Sequence, residues 1–336
     1  MDSLTQVVLG AAVGEAVLGK KVGNRAMLWG AIGGTIPDLD VFLRYFVDEI
    51  TNTEMHRGFS HSLVFAILIA PVLGWVAKKT HKKLKDVTLK NWSWMFFWIV
   101  VTHPLLDAHT SWGTQFFWPF EYRLAYQNIF VVDPLYTIPF LILVVVAMFH
   151  KRTNPRRKLF NKAGILISSS YMLLTLVFKG VSHVAFHKEL EHKKIEYVEL
   201  DTKPTPLNSV LWNAFVETES GFRVAYFSLF DSKEIKFSKE FKKNHGFLKP
   251  YLDQKVIQQL IKISAGWYYV DKVGNKLLFW DMRFGQVGVD PDNSPFIWCY
   301  ELMPDEYGKI SVNRIQPNFD NMGEAIQVLF ERAKGN

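Results

Sequence analysis

The chain has 336 residues, 49% of them hydrophobic, with a net charge of +7 and one cysteine. That length accommodates two domains, and the lone thiol, Cys299, excludes an internal disulfide. The basic residues do not form a nucleic-acid footprint, because they gather at the ends of apolar stretches, and no nucleic-acid partner is expected.

In chain order, Met1-Asp2-Ser3 carries no basic region ahead of its first apolar stretch, so no signal peptide is expected. Gly/Ala-rich apolar segments follow at 4–18 and 26–36, and stronger ones at 62–77, 92–106, 135–149 and 163–186. Several are near or below the ~17 residues of a membrane helix, which predicts tilted, partly shielded or incomplete spans. A soluble helical core is the competing expectation. Three basic groups separate the segments: Lys20, Lys21 and Arg25; Lys78, Lys79, Lys82, Lys83, Lys85 and Lys90; and Lys151, Arg152, Arg156, Arg157, Lys158 and Lys162. If these stay in the cytoplasm, the chain crosses outward at 26–36, inward at 62–77, outward at 92–106, inward at 135–149 and outward at 163–186. A multi-pass protein of a bacterial inner membrane results, with its second domain in the periplasm.

Beyond residue 186 the pattern changes to alternating stretches at 195–200, 222–230, 277–284 and 296–302, broken by Lys-Pro-Thr-Pro, Glu-Ser-Gly and Gly-Asn. Helical spacing returns at 252–263 and 322–333. The predicted organisation is a mainly α membrane domain over 1–186 followed by a small α+β extracytoplasmic domain over 187–336. Arg223 and Arg283 are candidate anion ligands, with solvated strand positions as the simpler reading.

Three clusters of His and Asp fall on the outer side of that topology: Asp38/Asp40 in Thr-Ile-Pro-Asp-Leu-Asp, His56/His61 in His-Arg-Gly-Phe-Ser-His-Ser, and His103/Asp107/His109. Ionisable groups at a bilayer boundary are costly unless they bind something. His103 and Asp107 are four apart, so a helix directs both to one face, as two ligands of one metal require. Gly33, Gly34 and Pro37 end a helix ahead of Asp38 and Asp40, which are bridging ligands on one reading and turn or cap residues on the other. His56 and His61 fit a loop entering a helix near Ser60. Pro104 requires the helix to restart or kink at His103. His109 shares a face with Asp107 only if the helix has ended. Asp133 is a ligand or the N-cap of the next helix, with Pro134 at the first helical position, and Gln6, Glu15 and His183 either line the site or bond across helices.

Mixed His and carboxylate ligands without cysteine suit Zn²⁺ better than Mg²⁺ or Ca²⁺. Manganese is the weaker alternative. The candidate ligands Asp38, Asp40, His56, His61, His103 and Asp107 outnumber the protein ligands of a single catalytic zinc, which predicts two or three ions. Arg57 or Arg123 would hold a phosphate. Asp38, Asp40 and Arg57 are the catalytic candidates.

Met-Asp-Ser-Leu-Thr-Gln-Val-Val-Leu-Gly, Gly-Thr-Ile-Pro-Asp-Leu-Asp, His-Arg-Gly-Phe-Ser-His-Ser, His-Pro-Leu-Leu-Asp, Trp-Gly-Thr-Gln and Asp-Pro-Leu-Tyr together resemble the YdjM-like family of membrane-bound metal-dependent hydrolases, over residues 1–186. The family is distantly similar to zinc-dependent phospholipase C and the S1/P1 nucleases, whose multinuclear zinc cluster uses an H-x-x-x-D motif. The resemblance implies a phospholipase C/P1 nuclease-like helical core. It also implies His103 and Asp107 as ligands, completed by Asp38 or Asp40 and by His56 or His61. The chain departs from the family at Gln6, where His is frequent, and at His109, where a hydrophobic residue is common. The leading expectation is a hydrolase of a lipid phosphoester at the periplasmic face, with membrane lipid as substrate. The alternative is a non-enzymatic protein with a structural metal, whose outer domain binds a protein partner. An ion or proton pathway is a third expectation, weakened by the clustering of the carboxylates on one side.

Overall fold

The structure is a computed structural model describing residues 1–315 and 322–336. The chain folds as two units, Met1–Leu176 with Pro206–Asn208, and Val177–Thr205 with Ser209–Asn336. The N-terminal part is helical, and the C-terminal part is a domain of antiparallel sheets.

Helix α1 (Ser3–Gly14) starts at Asp2, whose carboxylate accepts from the Thr5 N–H, and passes through a π-turn, Glu15–Gly19, into the short α2 (Lys20–Val22). Helix α3 (Asn24–Thr35) returns antiparallel to α1. Their glycines make the crossing close. A β-carbon on Gly10 would collide with the Gly30 carbonyl oxygen, and one on Gly34 would lie 2.5 Å from the Gln6 carbonyl oxygen. Small residues that bring backbones together are the usual basis of helix association in membranes.

After the 3-10 segment Pro37–Tyr45 come α4 (Glu49–Met55), capped by Asp48, and a 3-10 turn at Phe59–His61. Ser62 then caps α5 (Leu63–Thr80). Helix α6 (Leu89–Asp107) opens with a Thr88/Asn91 capping box and continues through Pro104, so no restart is needed at His103. Trp92, Met95, Phe96 and Ile99 of α6 are fully buried beside Leu18, Ala26 and Ala70. Helix α7 (Pro134–Met148) is capped by Asp133, and α8 spans Pro155–His192.

Among the described residues, α5 and α8 are long and apolar enough to cross a membrane, and α7 is a shorter apolar helix. Only 22% of the apolar window of either long helix is buried, so their apolar faces point outward, unlike those of a core helix. The basic groups meet at one end of the helical unit. There Lys21 bonds Asn91, Arg152 bonds the Lys21 carbonyl at 2.6 Å, and Arg157 bonds Asn24 at 2.5 Å. Glu15, buried in the π-turn, forms a bidentate pair with Arg157 at 2.7 and 2.5 Å, bonding across helices. His61, His103 and Asp107 sit at the opposite ends of α5 and α6.

The second unit holds two four-stranded antiparallel sheets in the orders β1-β2-β3-β4 and β5-β6-β7-β8. The first comprises β1 (Glu199–Pro204), β2 (Leu211–Glu217), β3 (Gly221–Ser228) and β4 (Phe241–Lys242). A 3-10 turn, His245–Tyr251, and α9 (Lys255–Ser264) lead to the second: β5 (Tyr268–Val273), β6 (Lys276–Gln286), β7 (Phe296–Pro304) and β8 (Ile310–Ile315). Helix α10 (Met322–Ala333) follows. Phe215, Phe222, Tyr269, Met282 and Phe296 join both sheets in one core with Leu329 of α10. A second cluster packs Phe186 and Leu190 of α8 on Trp212 and Val216 of β2.

Two sequence expectations change here. Lys-Pro-Thr-Pro was expected to break a strand, yet β1 runs through Lys203 and Pro204 and displaces the strand expected at 195–200. An edge strand tolerates proline because one row of its N–H groups has no ladder partner. The sequence pattern also misses β2, because Leu211 to Val216 are all buried and show no alternation. Arg283 is paired with Asp281 at 2.7 Å, and Arg223 donates to the Ser238 carbonyl.

Candidate metal centre

Four side chains converge on one point. Asp38 follows the first residue of the 3-10 segment, His61 closes the turn before α5, and His103 and Asp107 share one face of the last turn of α6. Each offers one ligand atom, and these atoms all lie within 4.8 Å of one another. His103 Nε2 is 3.2 Å from His61 Nε2, 3.3 Å from Asp38 Oδ1 and 3.6 Å from Asp107 Oδ2. His61 Nε2 is 3.4 Å from both Asp38 Oδ1 and Asp107 Oδ2. A tetrahedral ion with ligands at ~2.1 Å spaces its donor atoms by roughly 3.4 Å, so these separations fit one tetrahedral cation.

The surrounding hydrogen bonds set the same chemistry. His103 Nδ1 donates to the Gly34 carbonyl at 2.7 Å, which leaves the Nε2 lone pair aimed inward. His61 Nδ1 is 2.9 Å from Ser60 Oγ, and Ser60 donates to Asp40 Oδ2 at 3.1 Å, so its Nε2 is also the unprotonated nitrogen. Such outer partners fix a metal ligand's tautomer and raise its basicity. Asp107 Oδ1 accepts from Gln6 Nε2 at 2.9 Å and from the Met1 α-amino group. Its Oδ2, fully buried, accepts no hydrogen bond although Arg57 Nε is 3.1 Å away. A buried carboxylate oxygen without a hydrogen-bond donor, facing two imidazoles, could take a cation as its partner.

His61, His103 and Asp107 are buried, and the Asp38 side chain retains 26% exposure. Burial pushes the Asp38 carboxyl up, but in the metal-free cluster hydrogen bonds from His103 and His61 in their protonated form outweigh it and hold the group well below the usual carboxylate range. Asp40 is also lowered, as burial is outweighed by the hydrogen bond and charge of His56.

Asp40 and His56 stand beside the group of four and pair with each other at 3.1 Å. Asp40 also accepts from the backbone N–H of Arg57 at 2.8 Å. Arg57 sits at φ 55°, a strained left-handed conformation for a side-chain-bearing residue. Its guanidinium donates to Thr110 at 2.8 Å, while Nε makes no hydrogen bond. Arg123 stacks on Trp112 and donates to the Glu54 and His56 carbonyls.

His109 is outside the cluster and bonds Asn128 at 2.8 Å. Burial lowers its pKa more than that bond raises it. Asp133 caps α7 and accepts from Tyr171 at 2.9 Å. His183 belongs to the sheet-containing unit. Gln6 touches both the His103 carbonyl and Asp107. Ser60, Thr110 and the Gly34 carbonyl were not singled out from sequence. Ser60 had a signal in its place between the two histidines, whereas the other two emerge only from tertiary packing.

Comparison with known proteins agrees on the helical part. The chain is 27% identical over 153 residues to the inner membrane protein YbcI of Escherichia coli (strain K12), covering 43% of this chain and 86% of that protein. No solved structure matches. The family description YdjM inner membrane protein matches residues 1–186, which contain every residue of the cluster. The chain therefore belongs to the YdjM inner membrane protein family.

Proposed function

We propose that the helical unit is a polytopic inner-membrane, metal-dependent hydrolase that cleaves a lipid phosphoester at the periplasmic face. The observation that carries this reading is the convergence of Asp38, His61, His103 and Asp107 at tetrahedral donor spacing, with both histidines held in the ligand tautomer. Location at the inner membrane follows the family, and the orientation follows the basic groups at the opposite helix ends.

These four residues would hold the ion, and zinc is the cation best matched to them. When bound it supplies Lewis acidity at an ester oxygen. Asp38, the one partly exposed ligand, marks the side from which substrate enters. Arg57 Nε makes no hydrogen bond but lies 3.1 Å from Asp107 Oδ2, and with another guanidinium nitrogen tied to Thr110 the group is held at the cluster, where it would meet a phosphate oxygen. Asp40 orients His61 through Ser60 and holds Nδ1 of the half-exposed His56. His56 is placed to give a proton to the leaving oxygen, the general-acid role that imidazoles commonly fill.

The test is turnover of phosphomonoester, phosphodiester and carboxyl-ester lipids by zinc-loaded protein. Cleavage of a phosphoester, lost in His103→Ala, is expected. No cleavage in any class would refute hydrolysis. One observation favours a second reading, a structural metal. Four protein ligands form the closed set typical of structural zinc, in which case metal removal lowers thermal stability without any lipid being turned over.

A further inference from the structure

The 3-10 segment Pro37–Tyr45, which delivers Asp38 to the cluster, carries an apolar ridge on another face. At three residues per turn, side chains three apart eclipse. Pro37 and Asp40 are buried on one face, while Leu39, Phe42 and Tyr45 are exposed on another. The Phe42 and Tyr45 rings stack at 6.3 Å, and the next residue, Phe46, is 83% exposed. A contiguous exposed apolar ridge of this kind marks an interaction surface.

Two observations identify what covers it. Ser60 bonds Asp40 of this segment, and its neighbour Phe59 packs edge-on against both Trp118 and Phe65 at 5.0 and 5.4 Å. Phe65 lies in the first turns of α5, whose Ile67, Leu68 and Val72 are more than half exposed along a candidate span. Asp38 of the segment lies 3.4 Å from His61, two residues ahead of α5, so the segment sits at the N-terminal end of that candidate span. Arg44, the only basic residue of the segment, donates to the Tyr45 hydroxyl at 3.1 Å and lies over its ring at 5.0 Å. An aromatic ridge edged by Arg and Tyr matches the boundary where acyl chains meet lipid phosphates.

We propose that Leu39, Phe42 and Tyr45 insert into the bilayer at the acyl–headgroup boundary, with Arg44 on a lipid phosphate. The metal-site segment is thereby anchored in the lipid surface. This inference rests on the membrane-embedded reading of the helical unit and is independent of the hydrolytic chemistry.

The test is the accessibility of spin labels on the full chain in nanodiscs of phosphatidylethanolamine and phosphatidylglycerol. Labels are placed by Phe42→Cys, by Ile67→Cys as the reference for the span and by Lys82→Cys as the reference for water, each in a Cys299→Ser background. Tyr45→Cys replaces Phe42→Cys if the latter does not fold. The expected result is a label at 42 relaxed several-fold more by oxygen than by a water-soluble nickel chelate, as at 67 and opposite to 82. Preference for the chelate at 42 with oxygen preference at 67 overturns the anchor while leaving embedding intact. Access by neither reagent at 42 overturns it in favour of a protein covering the ridge. Chelate preference at both 42 and 67 removes the embedded reading and the anchor together.

Discussion

Replacing Asp107 with alanine is expected to destabilise the metal-free protein far more than replacing His103, although each change removes one donor from the same cluster. The Asp107 carboxylate lies 3.1 Å from Arg57 Nε, accepts from Gln6 at 2.9 Å and bonds the Met1 α-amino group. Arg57 is a guanidinium only 6% exposed. Truncating Asp107 therefore strands a buried cation, at a cost of about 3–5 kcal/mol. His103→Ala strands only the neutral Gly34 carbonyl, 2.7 Å from Nδ1, which costs about 1–3 kcal/mol. The assay is equilibrium unfolding of chelator-stripped protein in micelles, followed by tryptophan fluorescence, with Asp107→Asn as an isosteric control falling between wild type and Asp107→Ala. If His103→Ala is as damaging as Asp107→Ala, or Asp107→Ala stays within about 0.5 kcal/mol of wild type, the description of the buried charge cluster is wrong.

Gln6→Ala removes the amide that holds Asp107 and is expected to weaken zinc about 10–100-fold, read by competition with a chromogenic chelator; unchanged affinity would remove Gln6 from the site. Gly34→Ala places a β-carbon 2.5 Å from the Gln6 carbonyl, so it should cost about 1–3 kcal/mol from overpacking and weaken zinc by displacing the carbonyl that orients His103. Unfolding and metal titrations on the same sample check both effects. For pH, the sign follows from which ligands take up protons. Asp38 is held below the usual carboxylate range, so it stays ionised as pH falls, and metal is expected to be released as the two imidazoles take up protons. A metal affinity that does not fall as pH drops through the imidazole range would contradict histidine ligation. By the same sign, the lowered Asp38 and Asp40 give stability that is present above the unfolded carboxylate pKa and lost only as pH falls through their depressed values.

Much of the site was legible because its chemistry is local in sequence. The spacing of His103 and Asp107 places them on one helical face whatever else the chain does. The choice within Asp38/Asp40 and His56/His61 was not legible. It depends on a segment with three residues per turn, which turns Asp38 into the cluster and Asp40 toward His56 and Ser60. Gln6 and the Gly34 carbonyl reach the site only because glycines let α1 and α3 approach closely, a packing event without a periodic signature. In the sheet domain, alternation revealed the cores of β3, β6 and β7, but β2 is buried along almost its whole length and gave none.

The central claim is a metal ion held by Asp38, His61, His103 and Asp107, and elemental mass spectrometry of detergent-purified protein tests it most directly. Wild type is compared with the His103→Ala/Asp107→Ala double variant, both checked for folding. Stoichiometric zinc or a similar first-row ion in wild type, absent from the folded variant, is the expected result. Wild-type protein that holds no stoichiometric metal even after reconstitution with zinc or manganese would contradict it.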